Sequence, residues 1–480
     1  MSKFRLLATV VAFLLLPAVP AHAASVPTLA SRMTAVQDAK AFNYYPSNAG
    51  WSSMWTSFDP VRIDTDLDRA AGLGADTVRV IVFPYTFGYP TPSVAYADKL
   101  DAFIDIADGN GLSVKLTLFD WWSAYTDVTG SITWAQSLLT PYANDPRVIA
   151  VELKNEIQAT DATAIHWARQ LIPAIRTTVP AMPITLTVDA ASGHTGMAGL
   201  KSQLATTPLD YYDFHFYGAS ERSLAEINRA RTAIAPDPMV IGETGMSTVS
   251  ATDGEQAAYL ARVFRAAADA GVGSVAPWTL NDFAPGAIPS GSQVSTQPAQ
   301  YKYGLYRTDT TAKLGASVAG AGWTTGITSN NVLNLGFEAA AIDSPWRKYQ
   351  PSAGAAAITT DSPRTGTQSA RFSGTTRVGS NLPSLLTSPV TPVEPGDAWH
   401  AEAYARGVSA TGITEISLSW FDINGTWISQ NTSNRLAVGT TAWTKLFVDA
   451  VAPAGAAGVQ LHLKCGDNTG TVWYDDVAIS

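Results

Sequence analysis

Residues 148–156 are Val-Ile-Ala-Val-Glu-Leu-Lys-Asn-Glu, a short apolar run that ends in polar residues. A continuous apolar run is typical of a strand that is buried on both faces of a parallel sheet. Seven similar runs occur between residues 38 and 315, and stretches of helical period separate them. The eight predicted strands are 41–45, 76–83, 112–119, 148–154, 184–188, 211–216, 239–243 and 273–278.

The segments between these runs place Ala, Leu or Ile at spacings of three and four, which favours amphipathic helices. Four of them are the predicted helices 93–110, 161–178, 219–233 and 254–270. Eight strands alternating with helices over about 280 residues match the size of a (β/α)8 barrel. The sequence therefore predicts an α/β fold of the TIM-barrel type.

The composition shifts to Ala, Gly, Ser and Thr around residues 315–331, where we expect helical periodicity to stop and the first domain to end. Beyond it, alternating segments at 398–406, 415–422, 444–448 and 459–465 are separated by turn signals. These predict an all-β sandwich over 330–480, after a barrel domain over 24–325. The connection is too short for a long flexible tether, so we expect the two domains to pack together.

The first 23 residues have the pattern of a signal peptide. Lys3 and Arg5 precede an apolar run over 6–19, and Ala21-His22-Ala23 is a small-x-small cleavage site. The run is shorter than the roughly 20 residues that span a bilayer. We therefore expect a secreted protein that is cleaved near Ala23. Because Cys465 is the only cysteine, no intrachain disulfide can form, and its place in an alternating apolar segment predicts a buried structural thiol.

The net charge is −9 and the isoelectric point is about 5.2. Nucleic acid and anionic membranes both require a basic face on their partner. A neutral substrate fits this charge better, and we expect neither nucleic acid nor a membrane as a partner.

Functional groups of a (β/α)8 barrel gather at the C-terminal ends of the strands. Glu156 follows the fourth predicted strand, and Glu243 ends the seventh. These strands face each other across the barrel mouth, which can bring two carboxyl groups to the roughly 5–5.5 Å that a retaining glycosidase needs. We interpret Glu152, which lies within its strand, as structural.

Other strand ends carry polar residues that would support this pair. Arg79 interrupts the apolar second strand, and a buried arginine requires an anionic partner, for which Glu243 is the natural candidate. That pairing would keep Glu243 ionised. His215 and Tyr217 end the sixth strand on alternate positions, so both should point at the pocket.

Aromatic residues surround the same predicted mouth. Trp278 closes the eighth strand, and its indole could form the floor of a sugar subsite by stacking. Further substrate-binding candidates follow the third and first strands. The aromatic ones are Trp121, Trp122, Tyr44, Tyr45, Trp51 and Trp55, and the polar ones are Asp120 and Asn43.

Together these residues resemble glycoside hydrolase family 5, the cellulase and β-mannanase type of retaining (β/α)8 glycosidase. The likeness spans residues 38–320 and implies that Glu156 is the acid/base and Glu243 the nucleophile. It also implies that Asn155 binds the sugar 2-hydroxyl, Arg79 and Tyr217 position Glu243, His215 assists the acid/base region, and Trp278 floors the subsite. Residues 152–156 and Asp120-Trp121 are similar to β-mannanase members.

The sequence departs from the family pattern at two points. Ile157 replaces the proline that often follows the acid/base glutamate, and the histidine common after the third strand is absent from Phe119-Asp120-Trp121. These departures do not affect the expected mechanism, but the subfamily, and with it the identity of the sugar, is not determined. The resemblance implies a polysaccharide or oligosaccharide substrate, with β-mannan or β-glucan favoured, and no cofactor for catalysis. We separately expect a monomer.

The second domain resembles jelly-roll carbohydrate-binding modules that open with Asn-x-Gly-Phe-Glu and close with Tyr-Asp-Asp-Val, here at 334–338 and 474–477. Such modules often hold a structural calcium ion, which implies Glu338 and Asp476 as oxygen ligands. The sequence offers four aromatic stacking candidates there: Trp346, Tyr349, Trp427 and Trp443. Whether this domain binds sugar or braces the barrel stays open.

Three alternatives remain. An arabinan or galactan could be the substrate, a transglycosylase would share the covalent intermediate, and a non-catalytic glycan-binding protein would keep the fold. A metal-dependent hydrolase would need histidine clusters at strand ends. Of the barrel histidines His166, His194 and His215, just one ends a strand.

Overall fold

The computed structural model describes residues 26–327, 335–338, 346–349, 356–376, 382–387 and 391–480. The predicted signal peptide and Asn334 lie outside this range. No helix within it is both long enough and apolar enough to cross a membrane.

Eight short parallel strands build the first domain. They are β1 (Ala41–Asn43), β2 (Thr77–Ile81), β3 (Ser113–Thr117), β4 (Val148–Glu152), β5 (Ile184–Thr185), β6 (Tyr212–Phe216), β7 (Met239–Thr244) and β8 (Val275–Pro277). Each lies within or overlaps one predicted strand, which confirms the (β/α)8 barrel.

The helices around this barrel alternate with the strands. They are α1 (Leu29–Asp38), α2 (Ser53–Thr56), α3 (Pro60–Gly72), α4 (Pro84–Phe87), α5 (Val94–Gly109), α6 (Val128–Leu139), α7 (Ala162–Thr178), α8 (Gly193–Gln203), α9 (Ser223–Ile234), α10 (Asp253–Asp269) and α11 (Leu314–Thr324). Local sequence sets several of their starts. Asp161 caps α7, and Thr252 forms a capping box with Glu255 at the start of α10.

The eight strands form two hydrogen-bonded groups, β1 to β5 and β6 to β8, in sequential order. A parallel bridge between Thr187 and Asp213 joins the two groups on one side. On the other side, the amide of Leu280, just after β8, donates to the carbonyl of Asn43 at 3.0 Å. These contacts close the ring, so residues that follow β4 and β7 share one end of the barrel.

The expectation that helical periodicity stops near residue 315 is wrong. Residues 314–324 form α11, which packs against α10 of the barrel. Its glycines permit close approach, since a Cβ at Gly322 would overlap the ring of Phe264. The Ala/Gly composition therefore reflects tight helix packing rather than a linker.

The second domain is a sandwich of antiparallel strands. These are β9 (Trp346–Tyr349), β10 (Ala356–Thr359), β11 (Ser369–Thr375), β12 (Ser384–Thr387), β13 (Thr391–Pro392), β14 (Ala398–Val408), β15 (Ile413–Phe421), β16 (Trp427–Thr432), β17 (Thr444–Val451), β18 (Gly458–Gly466) and β19 (Asn468–Ile479). One sheet has the order β10-β11-β19-β14-β17 and the other β16-β15-β18-β12-β9. The predicted all-β sandwich is confirmed.

The sandwich encloses its own core, and Cys465 is a buried free thiol within it. Burial raises the pKa of this thiol, which keeps it protonated and unreactive. Trp346, a predicted stacking residue, is buried against Phe337 in the same core. It therefore packs the sandwich instead of facing solvent, whereas Trp427 and Tyr349 are exposed.

The two domains are in contact. Strand β13 lies against α9 and α10, and Nδ2 of Asn228 on α9 donates to the carboxylate of Glu394 in the sandwich.

Candidate active site

Glu156 and Glu243 meet at the C-terminal end of the barrel. A carboxylate oxygen of each, together with Nδ1 of His215, lies within 4.8 Å of the others. Their exposure differs, because the side chain of Glu243 is 7% exposed and that of Glu156 is 37% exposed. One carboxyl group is therefore enclosed by protein, and the other can reach solvent in the pocket.

Three donors surround Glu243. Nη1 of Arg79 donates to Oε1 at 2.7 Å, and the hydroxyl of Tyr217 donates to Oε2 at 2.9 Å. Nδ1 of His215 lies 3.5 Å from Oε2. Burial raises the pKa of Glu243, while the charges of His215 and Arg79 oppose the rise. Donors directed at both oxygens stabilise the carboxylate form.

Arg79 is shared between two carboxylates. Its Nε donates to Oε2 of Glu152 at 2.7 Å, and Glu152 also accepts from the hydroxyls of Thr117 and Thr187. Burial raises the pKa of Glu152, but the charges of Arg79, Lys115 and His215 outweigh it and bring the pKa to about 2. The interpretation of Glu152 as structural fits these contacts, and its partner is the Arg79 cation inside the barrel.

Asn43 lies beneath the pocket. Its Oδ1 accepts from Nη1 of Arg79 at 2.7 Å, and its Nδ2 donates to the carbonyl of Gly242 at 2.8 Å. Since both ends of its amide are used and the residue is buried, Asn43 orients Arg79 rather than reaching a substrate. The prediction that it binds substrate directly is therefore not supported by its position.

His215 bridges the two glutamates, since its Nδ1 is also 3.1 Å from Oε1 of Glu156. Burial lowers its pKa, but Glu243, Glu156 and Asp213 together raise it to about 9. Asp213 lies 3.9 Å from Nε2 and forms an ion pair with Lys115. The imidazole is thus a cation at neutral pH, held among three carboxylates.

A strained backbone presents Glu156 to the pocket. Its φ is +52°, which is uncommon for a residue with a side chain, and its amide donates to Oγ1 of Thr187 at 2.7 Å. The neighbouring Asn155 accepts from Nη2 of Arg79 at 2.9 Å and donates to Oδ1 of Asp120 at 3.2 Å. Asn155 is therefore oriented from both sides.

The glutamate pair opens into a cleft of about 730 Å³, which Arg79, His215 and Asn43 support from outside its lining. The predicted residues that line it are Glu156, Glu243, Asn155, Tyr217, Trp278, Asp120, Trp121, Trp122 and Trp51. Trp51 stacks on the buried Tyr45 at 5.2 Å and on Trp121 at 6.2 Å between ring centroids. Trp121 is 41% exposed, so this stack leads from the barrel core to the rim of the cleft. Trp55 is instead buried in the barrel core.

Sequence reasoning missed part of this lining. Lys154 is the last residue of the predicted strand 148–154, but it lies in the cleft. The loop after β8 supplies a further wall through residues 291–294, Gln300 and Tyr303. Side chains two positions apart in an extended chain point to the same face. Lys154 therefore shares the inward face of Glu152, and this spacing could have indicated that it reaches the cleft. The loop carries no periodic signal.

Two groups of residues have the composition of a cation site. Glu156, His215 and Glu243 are spaced as metal ligands would be. However, Nδ1 of His215 already lies 3.1 Å from Oε1 of Glu156 and 3.5 Å from Oε2 of Glu243, so the imidazole here is placed as a hydrogen-bond partner of the two carboxyl groups.

The predicted calcium ligands have other partners. Oxygens of Glu338 accept from Thr367 and Gln368, and those of Asp476 accept from Arg364 and Thr365. The guanidinium of Arg364 already compensates the charge of Asp476. The described donors therefore fit a hydrogen-bonded cluster better than a calcium site. The calcium ion stays a prediction without support from these contacts.

Comparison with known proteins gives a family match over much of the chain. A model described as "Cellulase (glycosyl hydrolase family 5)" matches residues 37–284. Endoglucanase CelA of Streptomyces lividans is 28% identical over 206 residues, which are 41% of this chain and 43% of that protein. Endoglucanase E-5 of Thermobifida fusca is 27% identical over 210 residues, or 40% and 42%. The chain thus spans less than half the length of these relatives.

Solved structures share the barrel fold. An exo-β-1,4-mannosidase from Opitutaceae bacterium strain TAV5 superimposes with a TM-score of 0.50 at 20% identity, covering 59% of each chain.

Proposed function

The chain belongs to glycosyl hydrolase family 5, and on that premise we propose that it hydrolyses a β-linked polysaccharide through Glu243 as nucleophile and Glu156 as acid/base. Membership makes it a retaining O-glycosyl hydrolase. The family resemblance that the sequence indicated is confirmed. The assignment of roles to individual residues is our inference from the site.

The spacing of the two carboxyl groups carries this proposal. One carboxylate oxygen of each lies within 4.8 Å of one oxygen of the other, which fits the roughly 5–5.5 Å between carboxyl groups of retaining glycosidases better than the roughly 6.5–9.5 Å of inverting ones. A gap this short leaves no room for a water molecule between the sugar and the carboxylate that attacks it. Attack by the carboxylate itself follows.

The environments of the two glutamates support their roles. Glu243 is buried and accepts from Arg79 and Tyr217, so its carboxylate is oriented to attack the anomeric carbon. Glu156 is the more exposed group and can exchange protons with the leaving group and water. It would protonate the departing glycosidic oxygen while Glu243 bonds to the sugar. In the second step Glu156 would take a proton from a water molecule that attacks the sugar and displaces Glu243 from it. This step returns Glu156 to its protonated form and Glu243 to its carboxylate form.

A β-glucan or a β-mannan is the substrate that we favour. The curated relatives are endoglucanases, and residues 152–156 are similar to β-mannanase members. Trp278 lines the cleft and could stack on the ring that is being cleaved, and Trp121 at the rim could stack on a ring further along the chain. We also propose that the protein is secreted and that the sandwich is a carbohydrate-binding module, with Trp427 and Tyr349 as its exposed aromatic residues.

Hydrolysis of a panel of β-glucan, β-mannan, xylan, galactan and arabinan tests the substrate. Glu156→Gln and Glu243→Gln should each lower kcat by several orders of magnitude, as loss of a catalytic carboxylate does. Glu226→Gln, on the outer helix α9, is the matched control and should retain full activity. Activity that survives both catalytic substitutions would refute the site.

Trapping distinguishes the two roles. A 2-deoxy-2-fluoro glycoside with a good leaving group should form a stable ester, and peptide mass spectrometry should place it on Glu243. An ester on Glu156 would reverse the assignment. Product analysis with added acceptor sugars would detect transglycosylation.

A further inference from the structure

Two opposite charges lie deep in the catalytic cleft beside the glutamate pair. Asp120 follows β3 and is 5% exposed, and Lys154 follows β4 and is 6% exposed. Both line the cleft. Charged groups are rarely buried to this extent without partners, because their desolvation costs free energy.

The bonds of these two residues leave part of their capacity unused. Nζ of Lys154 donates to the carbonyl of Asn155, which uses one of its three hydrogens. Oδ1 of Asp120 accepts from Asn155, and the carboxylate also accepts from the backbone of Trp121. Among the described residues no carboxylate oxygen is hydrogen-bonded to Nζ of Lys154. Burial lowers the pKa of Lys154, although the negative charges of Asp120, Glu152 and Glu156 act on it and oppose this effect. One ammonium and one carboxylate therefore face the cleft with donor and acceptor positions to spare.

Their position relative to Asn155 indicates which substrate atom they would meet. Nδ2 of Asn155 lies 3.2 Å from Oδ1 of Asp120, so groups bound by these two side chains would be neighbours. Vicinal hydroxyls of a pyranose are separated by a similar distance. The sequence resemblance implies that Asn155 holds the 2-hydroxyl, and the neighbouring hydroxyl of the same ring is then the 3-hydroxyl.

We infer that Asp120 and Lys154 form a clamp on the 3-hydroxyl of the sugar ring that is cleaved, with Asp120 accepting its proton and Lys154 donating to its oxygen. This inference rests on the proposed function and names the substrate class of the same site. The ring must carry a free 3-hydroxyl, because a substituent there would be driven against two buried charges. A glycan linked or branched through O3 at this ring is excluded, whereas a β-1,4-linked chain is accepted.

A matched set of substrates tests the clamp. The wild type is first given 4-nitrophenyl β-glycosides and β-biosides of glucose and mannose, and the best of them is compared with its analogue that lacks O3 on the ring bonded to nitrophenol. Loss of hydrogen bonds to charged groups should lower kcat/KM for the 3-deoxy analogue by about 10- to 100-fold. Equal hydrolysis of both compounds would overturn the inference without use of any variant.

Variants then connect the effect to the two residues. Asp120→Asn and Lys154→Met should each lower kcat/KM about 10-fold or more on the parent compound but by less than about threefold on the 3-deoxy analogue, because the interaction is already absent there. A residue that merely supports the fold would lower both by the same factor, and that result would overturn the clamp. Asp98→Asn, an exposed site on α5, is the control. Failure of the wild type on every glycoside and every glycan would instead refute the proposed function, and the clamp with it.

Discussion

Nε of Arg79 donates a 2.7 Å hydrogen bond to Oε2 of Glu152 inside the barrel, and both side chains are fully buried. The same guanidinium holds Glu243 at its other end. A residue that supports the fold and a residue at the reaction centre thus share one cation. Stability and activity should therefore respond together when this pairing is changed.

Glu152→Gln should destabilise the barrel by about 3 kcal/mol at neutral pH, because it leaves Arg79 with less compensating charge. The folded pKa of Glu152 is about 2, below the roughly 4.3 of an unfolded glutamate. Its contribution is therefore present above about pH 4.3 and is lost as pH falls towards 2. Urea denaturation at several pH values should show the difference from wild type shrinking in acid. A difference that stays constant with pH would contradict this role.

Tyr217→Phe should shift the acid limb of the pH profile. The tyrosine hydroxyl donates to the Glu243 carboxylate, so its removal should raise the pKa of Glu243 further. The pH at which activity is half lost on the acid side should move up by about one pH unit, as expected for the loss of one hydrogen bond. Kinetics from pH 3 to 8 provide the test. An unchanged acid limb would show that Tyr217 does not act on Glu243.

His215 should remain protonated through neutral pH and lose its proton near pH 9, because three carboxylates surround it. NMR titration of the histidine ring, assigned with His215→Asn, measures this pKa. Glu156→Gln should lower it, since one of the negative neighbours is removed. A histidine that titrates near its ordinary 6.5 would disprove the cationic bridge.

Trp121→Ala should raise KM for a polysaccharide about 5- to 10-fold with kcat nearly unchanged, as expected for loss of one stacking contact away from the reacting bond. We expect this because the ring of Trp121 is exposed and stacks on Trp51 at the rim of the cleft, where a sugar ring can contact it. Trp427→Ala, in the sandwich, separates this effect from binding by the second domain. A fall in kcat on a short aryl glycoside would indicate instead that Trp121 shapes the catalytic centre.

Chelation by EGTA should leave the melting temperature of the full chain unchanged, because Arg364 already neutralises Asp476. Arg364→Ala should lower it. A fall in Tm with EGTA that calcium reverses would restore the predicted ion at Glu338 and Asp476.

Sequence reasoning located most of this site because strand ends in a parallel barrel have a recognisable form. A buried strand is an apolar run, and the polar residue after it must lie at the mouth; Glu156, Glu243 and His215 follow this rule. The rule fails where the sequence has no regular alternation of apolar and polar residues. The loop with Gln300 and Tyr303 is irregular and gives no such pattern. Helix α11 is also not predicted, because its small residues reflect close packing against α10 and resemble the composition of a linker.

The sequence by itself determined the eight strands, their order and the residues that end them, since these depend on local patterns of burial and polarity. Only the tertiary structure decided which of those residues meet. Arg79 contacts Glu152 and Glu243, which are 73 and 164 positions away, and Asn43 bonds to Gly242 across the closure of the ring. Such contacts depend on barrel closure and strand register, which are properties of the whole assembly of strands and not of any one segment.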